Sequence, residues 1–460
     1  MTKRNRTLLF LTLCLLFFLL TPPLILYSLG YAIDFEKKKI VQTGAIFVST
    51  EPGEVSVFMS GKQKGKTGII FKKLFKKNIL PKTYSIELKK DGYYSWQKNL
   101  EIKEKLTTEI RDVFLLQENP QKQIVFEKSI KGFYPSPDNK KIAYLTAENQ
   151  IGVLNLENKS EKSVLGAEKM DELVKLAWSE NSKKIYLKTS LKKVFSNYVW
   201  QEETENIIEL DKIVSKKTYN PVEFSWHPKD SNQIYFIDAQ KDDDYLNKLN
   251  LADGIIIPKI IRSFKNYYFF GDSIYFLEKT SGIIFQTDFE GKSPKKITVQ
   301  AVPDYNVKNG EYQFFIFPQT IGVIDEKRDF YVLDSQTQLF KKTGENISDI
   351  KISDDSKKLL FFGPNEIWVL YLEDFFIQPL KYKWDKDLIG RFSSPIENSF
   401  WCPDSEHILI ANQNNIKITE TDGRDVRNTV NFLTGISPYF SKPDKQIYFI
   451  DQGKLYSAKL

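Results

Sequence analysis

Cysteine and histidine are nearly absent from this chain of 460 residues, which has two of each. Cys14 and Cys402 lie far apart in segments of different character, so neither a disulfide framework nor a cysteine-built metal site is available. With only His227 and His407, a metal centre would have to draw most of its ligands from carboxylates. No G-x-S-x-G nucleophile elbow occurs, and no α/β stretch is present to house one. No catalytic residue, cofactor site or metal site is therefore expected. The run Asp242-Asp243-Asp244 lacks the ligand spacing of an EF-hand and reads as a solvated loop.

Charge is missing from a second place. Residues 7–33 contain no charged side chain, a run longer than the roughly 20 residues that span a bilayer. Lys3, Arg4 and Arg6 precede it, and the first 33 residues hold no acid. This pattern is expected to be an uncleaved membrane anchor, with Leu8, Phe10, Leu15, Leu20, Leu24 and Ile33 facing lipid. A cleaved signal would have a shorter apolar core and a small-residue cleavage site, and no A-x-A appears. Leu13 precedes Cys14 where lipidation needs a small residue. Pro22 and Pro23 are expected to kink the helix or end its first half. The basic tip favours a cytoplasmic N-terminus, although Lys37, Lys38 and Lys39 just beyond the run weaken that bias.

The positive charge is concentrated early. Residues 34–112 carry 17 Lys and Arg against 10 Asp and Glu, whereas 113–460 carry 46 against 49. The large C-terminal part is close to neutral, which argues against a nucleic-acid partner. Residues 44–112 alternate by two between Gly and Pro punctuation and read as a small all-β unit. The order of Ile46, Val48, Pro52, Gly53, Val55, Val57, Gly61, Gly65, Thr67, Pro81, Tyr84, Ile86, Leu88, Gly92, Tyr93 and Trp96 resembles a PEGA domain. The naming residues stand here as Glu51-Pro52-Gly53-Glu54, and Gly68 replaces the usual proline. The resemblance implies an extracytoplasmic, non-catalytic β-sandwich. GKQKGKT is not a P-loop: Gly61 and Gly65 are separated by three residues instead of four, and no helix pattern follows. Lys72, Lys73, Lys76 and Lys77 have two readings, a solvated strand face or a contact with anionic headgroups or an anionic wall polymer.

From about 123 onward one phrase recurs: SPDNKKIAYL at Ser136, SENSKKIYLK at Ser179, HPKDSNQIYFI at His227, SDDSKKLLFF at Ser353, CPDSEHILIA at Cys402 and SKPDKQIYFI at Ser441. Each follows a short aromatic or apolar run, and the period of about 40 to 50 residues is that of an array of four-stranded sheets. The phrase resembles the aromatic-Ser-Pro-Asp-Gly-Lys run of TolB-like and WD40-like propellers, with Asn139, Ser182 and Ser356 in place of the glycine. Eight units can be parsed, of which the fourth and fifth are degenerate, so seven or six stay open. The last unit supplies three strands, and a spare strand at 122–129 is expected to complete it and close the ring. Trp178, Trp226 and Trp401 precede their turns at equivalent positions and are expected to pack between blades.

The expected fold is therefore all-β: an anchor helix (1–33), a PEGA-like sandwich (34–112) and a β-propeller (113–460). The expected function is a single-pass, extracytoplasmic binding or scaffold protein of the cell envelope, whose partner is a protein or polysaccharide. Segments 241–245, 302–310 and 384–398 are expected to form its contact surface as long connections. The alternative is an envelope hydrolase acting on glycans or peptides, because paired carboxylates meet only in the fold.

Overall fold

The computed structural model describes residues 3–35, 37–215, 219–240, 243–308 and 310–460. A helix spans Lys3–Ser28, and its segment Asn5–Ser28 is long and apolar enough to cross a membrane, with mean hydropathy 2.5 and none of it buried. The helix runs through Pro22 and Pro23 and is not ended by them. Proline's fixed φ is itself helical, so the loss is confined to the amide donors of one turn. The helix stops at Gly30, whose φ of +83° reverses the chain. Ile33 consequently lies outside the helix, in strand Tyr31–Asp34, opposite Ile40 of strand Lys39–Gln42. The uncharged run and the helix are not coextensive.

The sandwich has two sheets. One orders Lys73–Ile79, Gly44–Glu51 and Thr107–Phe114, with the last two parallel. The other orders Lys62–Lys66, Ser56–Met59, Thr83–Lys89 and Trp96–Glu101. Ile46, Val48, Val57, Ile86 and Leu88 alternate inward from both sheets and are fully buried. Gly61, at φ +76°, turns the hairpin between Ser56–Met59 and Lys62–Lys66. Thr67 clips the far end: its hydroxyl lies 3.0 Å from that of Thr50 and accepts the Val55 amide at 3.0 Å. The strand Thr107–Phe114 runs across the expected boundary at 112.

Eight further four-stranded antiparallel sheets follow, spanning 130–165, 172–209, 221–262, 264–296, 313–344, 349–391, 398–434 and 436–459, here blades 1 to 8. Blade 8 has only three strands of its own. Its fourth is Lys122–Phe126, paired with Lys454–Lys459 in the register Lys122↔Ala458, Gln123↔Ser457. Segments 336 residues apart at Lys122↔Ala458 thus share one sheet, and Tyr439 of blade 8 donates to Asn139 of blade 1 at 2.6 Å. Phe133 and Ile142 of blade 1 pack in one core with Tyr448 and Ile450 of blade 8.

Two of the segments expected to be long connections are otherwise. Within 384–398 lies a regular outer strand, Lys386–Arg391, so the true insertion in blade 6 is 372–385. The connection near 241–245 is a hairpin between Gln233–Ala239 and Asp244–Asn250, and Lys241 and Asp242 lie outside the described residues. Segment 302–310 does belong to a long connection between blades 4 and 5, in which Val302 is buried and its amide donates to Gly282 at 2.8 Å.

Candidate functional site

The recurrent turn builds the ring's upper face. In blades 1, 2 and 6 the serine hydroxyl lies 2.5–2.8 Å from the Asp or Asn two residues on (Ser136–Asp138, Ser179–Asn181, Ser353–Asp355). It also accepts the amide five residues on, from Lys141, Lys184 and Lys358. The residues replacing glycine hold left-handed backbones, with φ of +56° at Asn139, +59° at Ser182 and +60° at Ser356. Two of them gain a use that glycine lacks. Asn139 accepts from Tyr439, and the Ser182 hydroxyl accepts the Asp138 amide of the preceding blade at 3.1 Å. Ser405, at φ +57°, accepts the Asp355 amide in the same way.

The tryptophans link blades by hydrogen bonds as well as packing. Nε1 of Trp178 donates to the Tyr134 carbonyl, that of Trp226 to Ala177, and that of Trp401 to Lys351, each in the preceding blade at 2.9–3.1 Å. Lysines following the turns reach the opposite way: Lys141 to the Ser182 carbonyl, Lys184 to Asn232, Lys358 to the Ser405 carbonyl and Glu406.

Both histidines are members of this turn system. His227 occupies the serine position of blade 3, where its Nδ1 accepts the amides of Lys229 and Asp230 at 3.1 Å. Burial, with the nearby Lys248, pushes its pKa below the usual value. His407 stands where blades 1, 2 and 6 have lysine. Its Nδ1 is 2.6 Å from Asp404, and although burial opposes its charge, that carboxylate holds its pKa above the usual value. Asp243 accepts from the Ser263 hydroxyl, and Asp244 begins a strand. Among the described residues no group of three or more His, Cys, Asp and Glu side chains is placed to hold a metal.

The sequence gives no sign of the feature that organises this face, the docking of the sandwich. Two propeller insertions cap the edge strands Trp96–Glu101 and Thr107–Phe114, one from each sheet of the sandwich. In the 421–428 loop of blade 7, Asn428 Oδ1 accepts the Gln97 amide at 3.2 Å and Asp425 accepts the Asn99 amide at 2.7 Å. In the 372–385 insertion, the Gln378 side chain accepts the Glu109 amide and donates to the Thr107 carbonyl, as a paired strand would. Between these caps the Lys98 ammonium, fully buried, meets Glu420 at 2.9 Å and the carbonyls of Asp422, Arg424 and Val426. Trp96 donates to the other oxygen of Glu420 at 2.8 Å. Phe114 and Leu116 add apolar contact with blades 7 and 8.

A cleft of about 230 Å³ remains at this junction, lined by Arg111, Lys358, Tyr371, Gln378, His407 and Arg424 among others. Two ion pairs lie within it, Lys358 with Glu406 and Arg424 with Asp422. Burial would raise the Asp422 carboxyl, but the Arg424 guanidinium holds it below the usual range, charged and unsuited to giving a proton.

Of the residues expected to face lipid, Leu8, Phe10, Leu15, Leu20 and Leu24 are exposed on the helix, and Ile33 is exposed on its strand. Lys73, Lys76 and Lys77 are exposed on the sandwich, while Lys72 pairs with Glu51.

Residues 43–115 match the PEGA domain. No curated protein matches the chain. The chain is similar in fold to solved propellers. These include the Dos1 propeller (12% identity, TM-score 0.47, covering 74% of this chain and 94% of that one). The WD40 domain of SCAP from fission yeast gives 11%, 0.43, 74% and 94%. An oligogalacturonate lyase in complex with manganese gives 12%, 0.40, 74% and 93%. By its own helix and sheets the molecule is an all-β chain with an N-terminal apolar helix, a PEGA domain and a β-propeller.

Proposed function

We propose that this is a single-pass membrane protein with a cytoplasmic N-terminus, whose sandwich and propeller form an extracytoplasmic binding scaffold of the cell envelope for a protein or polysaccharide partner. The observation that carries this reading is the docked sandwich. Because Lys98, Gln378 and Asp425 fix it to blades 6 and 7, the ring is held at a set attitude to the chain that emerges from the helix. A ring so held presents one face. In an antiparallel meander the first-to-second and third-to-fourth strand connections share one side. The sandwich binds that side through 372–385 and 421–428. The opposite side carries the blade-to-blade connections 297–312 and 392–397, and loops on a rigid frame are where partners are met. The reading is of binding without covalent chemistry.

Two experiments test it. External protease on intact cells should digest the bulk of the chain, and digestion only after lysis would overturn the topology. A photo-crosslinker at the exposed positions Lys308 and Glu397 should capture an envelope component that one at Lys140, on the sandwich side, does not. Equal capture from both sides would overturn the assignment of the face.

A further inference from the structure

The sandwich has two edges of opposite character. Strands Trp96–Glu101 and Thr107–Phe114 form the edge that faces the propeller. Strands Lys62–Lys66 and Lys73–Ile79 form the other, side by side, with the Leu74 side chain against Gly65. From 55 to 86 the sequence has eight lysines and no acid. Lys62, Lys64, Lys66, Lys73, Lys76 and Lys77 are all exposed along this second edge. The loop joining its two strands carries Ile69, Ile70 and Phe71, which are 70%, 83% and 80% exposed, and Phe75 behind them is 51% exposed.

Three consecutive large apolar side chains held in water at a loop tip are a costly arrangement for a soluble module. Ringed by lysines, they have the composition of an interfacial membrane contact. Apolar tips enter the boundary of the acyl chains while lysine stems lie along them and the ammonium groups reach the phosphates. We propose that this edge rests on the anionic bilayer in which the chain's own helix is anchored, with Ile69, Ile70 and Phe71 inserted. The inference rests on the anchor reading above. A soluble anionic polymer would satisfy the lysines but offers the apolar triplet no apolar phase.

The chain geometry permits it. The helix joins the sandwich at Gly44, and strand Gly44–Glu51 leads from there to the loop, where the Thr50 amide donates to the Lys72 carbonyl at 3.0 Å. That strand is about 23 Å long at the usual rise. Anchor and loop both meet the bilayer when this strand lies along its surface. The lysine edge then faces down, and the opposite edge holds the propeller up and away.

The test uses the full chain in lipid nanodiscs. An environment-sensitive fluorophore is placed by Ile70→Cys in a Cys14→Ser background, since Cys402 is buried. A control label is placed by Lys140→Cys. In discs with anionic lipid, the label at 70 should shift to the blue and be quenched by a lipid-borne quencher, while the label at 140 should stay in water. Lys72→Glu, Lys73→Glu, Lys76→Glu and Lys77→Glu together should cut that quenching by about tenfold or more. A label at 70 that stays as wet as the one at 140 would overturn the inference. So would a shift seen only on adding a soluble polyanion. A chain that does not remain with the disc would overturn the anchor reading, and this inference with it.

Discussion

Lys98 of the sandwich and Glu420 of blade 7 form an ion pair of 2.9 Å with the lysine side chain wholly buried. Three carbonyls of the 421–428 loop complete the ammonium's shell. Removing one partner of such a pair leaves an uncompensated buried charge, which costs about 3–5 kcal/mol. Lys98→Met should therefore undock the sandwich without unfolding either part. Limited proteolysis should open a new cut in 116–121, and one unfolding transition should become two. An unchanged single transition would show that the apolar contact of Phe114 and Leu116, with the hydrogen bonds of Gln378, Asp425 and Asn428, holds the sandwich without this pair.

The residues that replace glycine in the repeat turn predict a graded series. All three sit at positive φ, where a non-glycine residue is disfavoured by about 1 kcal/mol. Among the described residues the Ser356 side chain has no hydrogen bond to a neighbouring blade, so Ser356→Gly should stabilise the protein by about 0.5–1 kcal/mol. Ser182→Gly relieves the same backbone but loses the bond from Asp138, so it should be near neutral. Asn139→Gly also loses the Tyr439 contact at the ring's closure and should destabilise. Urea denaturation of the three variants checks the order; a uniform effect would mean the side chains do nothing across the blades.

The tryptophan bonds are open to a similar comparison. Trp401→Phe leaves the Lys351 carbonyl without its donor and trims a buried ring, which should cost about 1–3 kcal/mol. Trp368, whose indole bonds only to Glu366 of its own blade, should tolerate phenylalanine at well under that cost. Denaturation midpoints of the two variants decide whether the link between blades is what matters.

The repeat, the equivalent tryptophans and the missing strand of the last unit are visible in sequence because each is local or periodic. The outer strand Lys386–Arg391 is not, since KDLIGR carries too little alternation to stand out from a loop. Nor is the docking: Lys98 looks like any other strand lysine, and its acceptor Asp422 is 324 residues away. Ile33 reads as part of the anchor because uncharged residues continue past the helix, whereas Gly30 sets where the helix ends.

His407 and Asp404 make stability depend on pH in a defined sense. Burial lowers the histidine's folded pKa, but Asp404, 2.6 Å away, with Glu420 and Glu406 together raise it above 6.5. Its contribution is complete below 6.5 and is lost as pH rises through the raised value. Asp404 is held below 3.8: burial opposes its charge, but the bond and charge of His407 together with the backbone amides of Glu406 and His407 outweigh it. Its contribution is present above 3.8 and is lost as pH falls through the lowered value. His407→Gln should flatten the decline on the alkaline side, read as urea midpoints from pH 6 to 9, and leave acid unfolding driven by the other carboxylates. A decline that persists unchanged in this variant would assign it to another group.

Closure by Lys122–Phe126 supplies the last prediction. This strand is the outermost of blade 8, and its side chain Lys122 pairs with Asp451 at 2.9 Å. Without it, the strand Lys454–Lys459 would present a bare edge of backbone donors and acceptors. Deleting the strand outright would also shorten the covalent route from sandwich to blade 1. Replacing 122–126 with a flexible linker of equal length keeps that route and removes only the pairing. The expected outcome is concentration-dependent association, seen by light scattering, and a lower unfolding midpoint. A monomer of unchanged midpoint would show that contacts between blades 8 and 1, such as Tyr439 with Asn139, hold the ring shut by themselves.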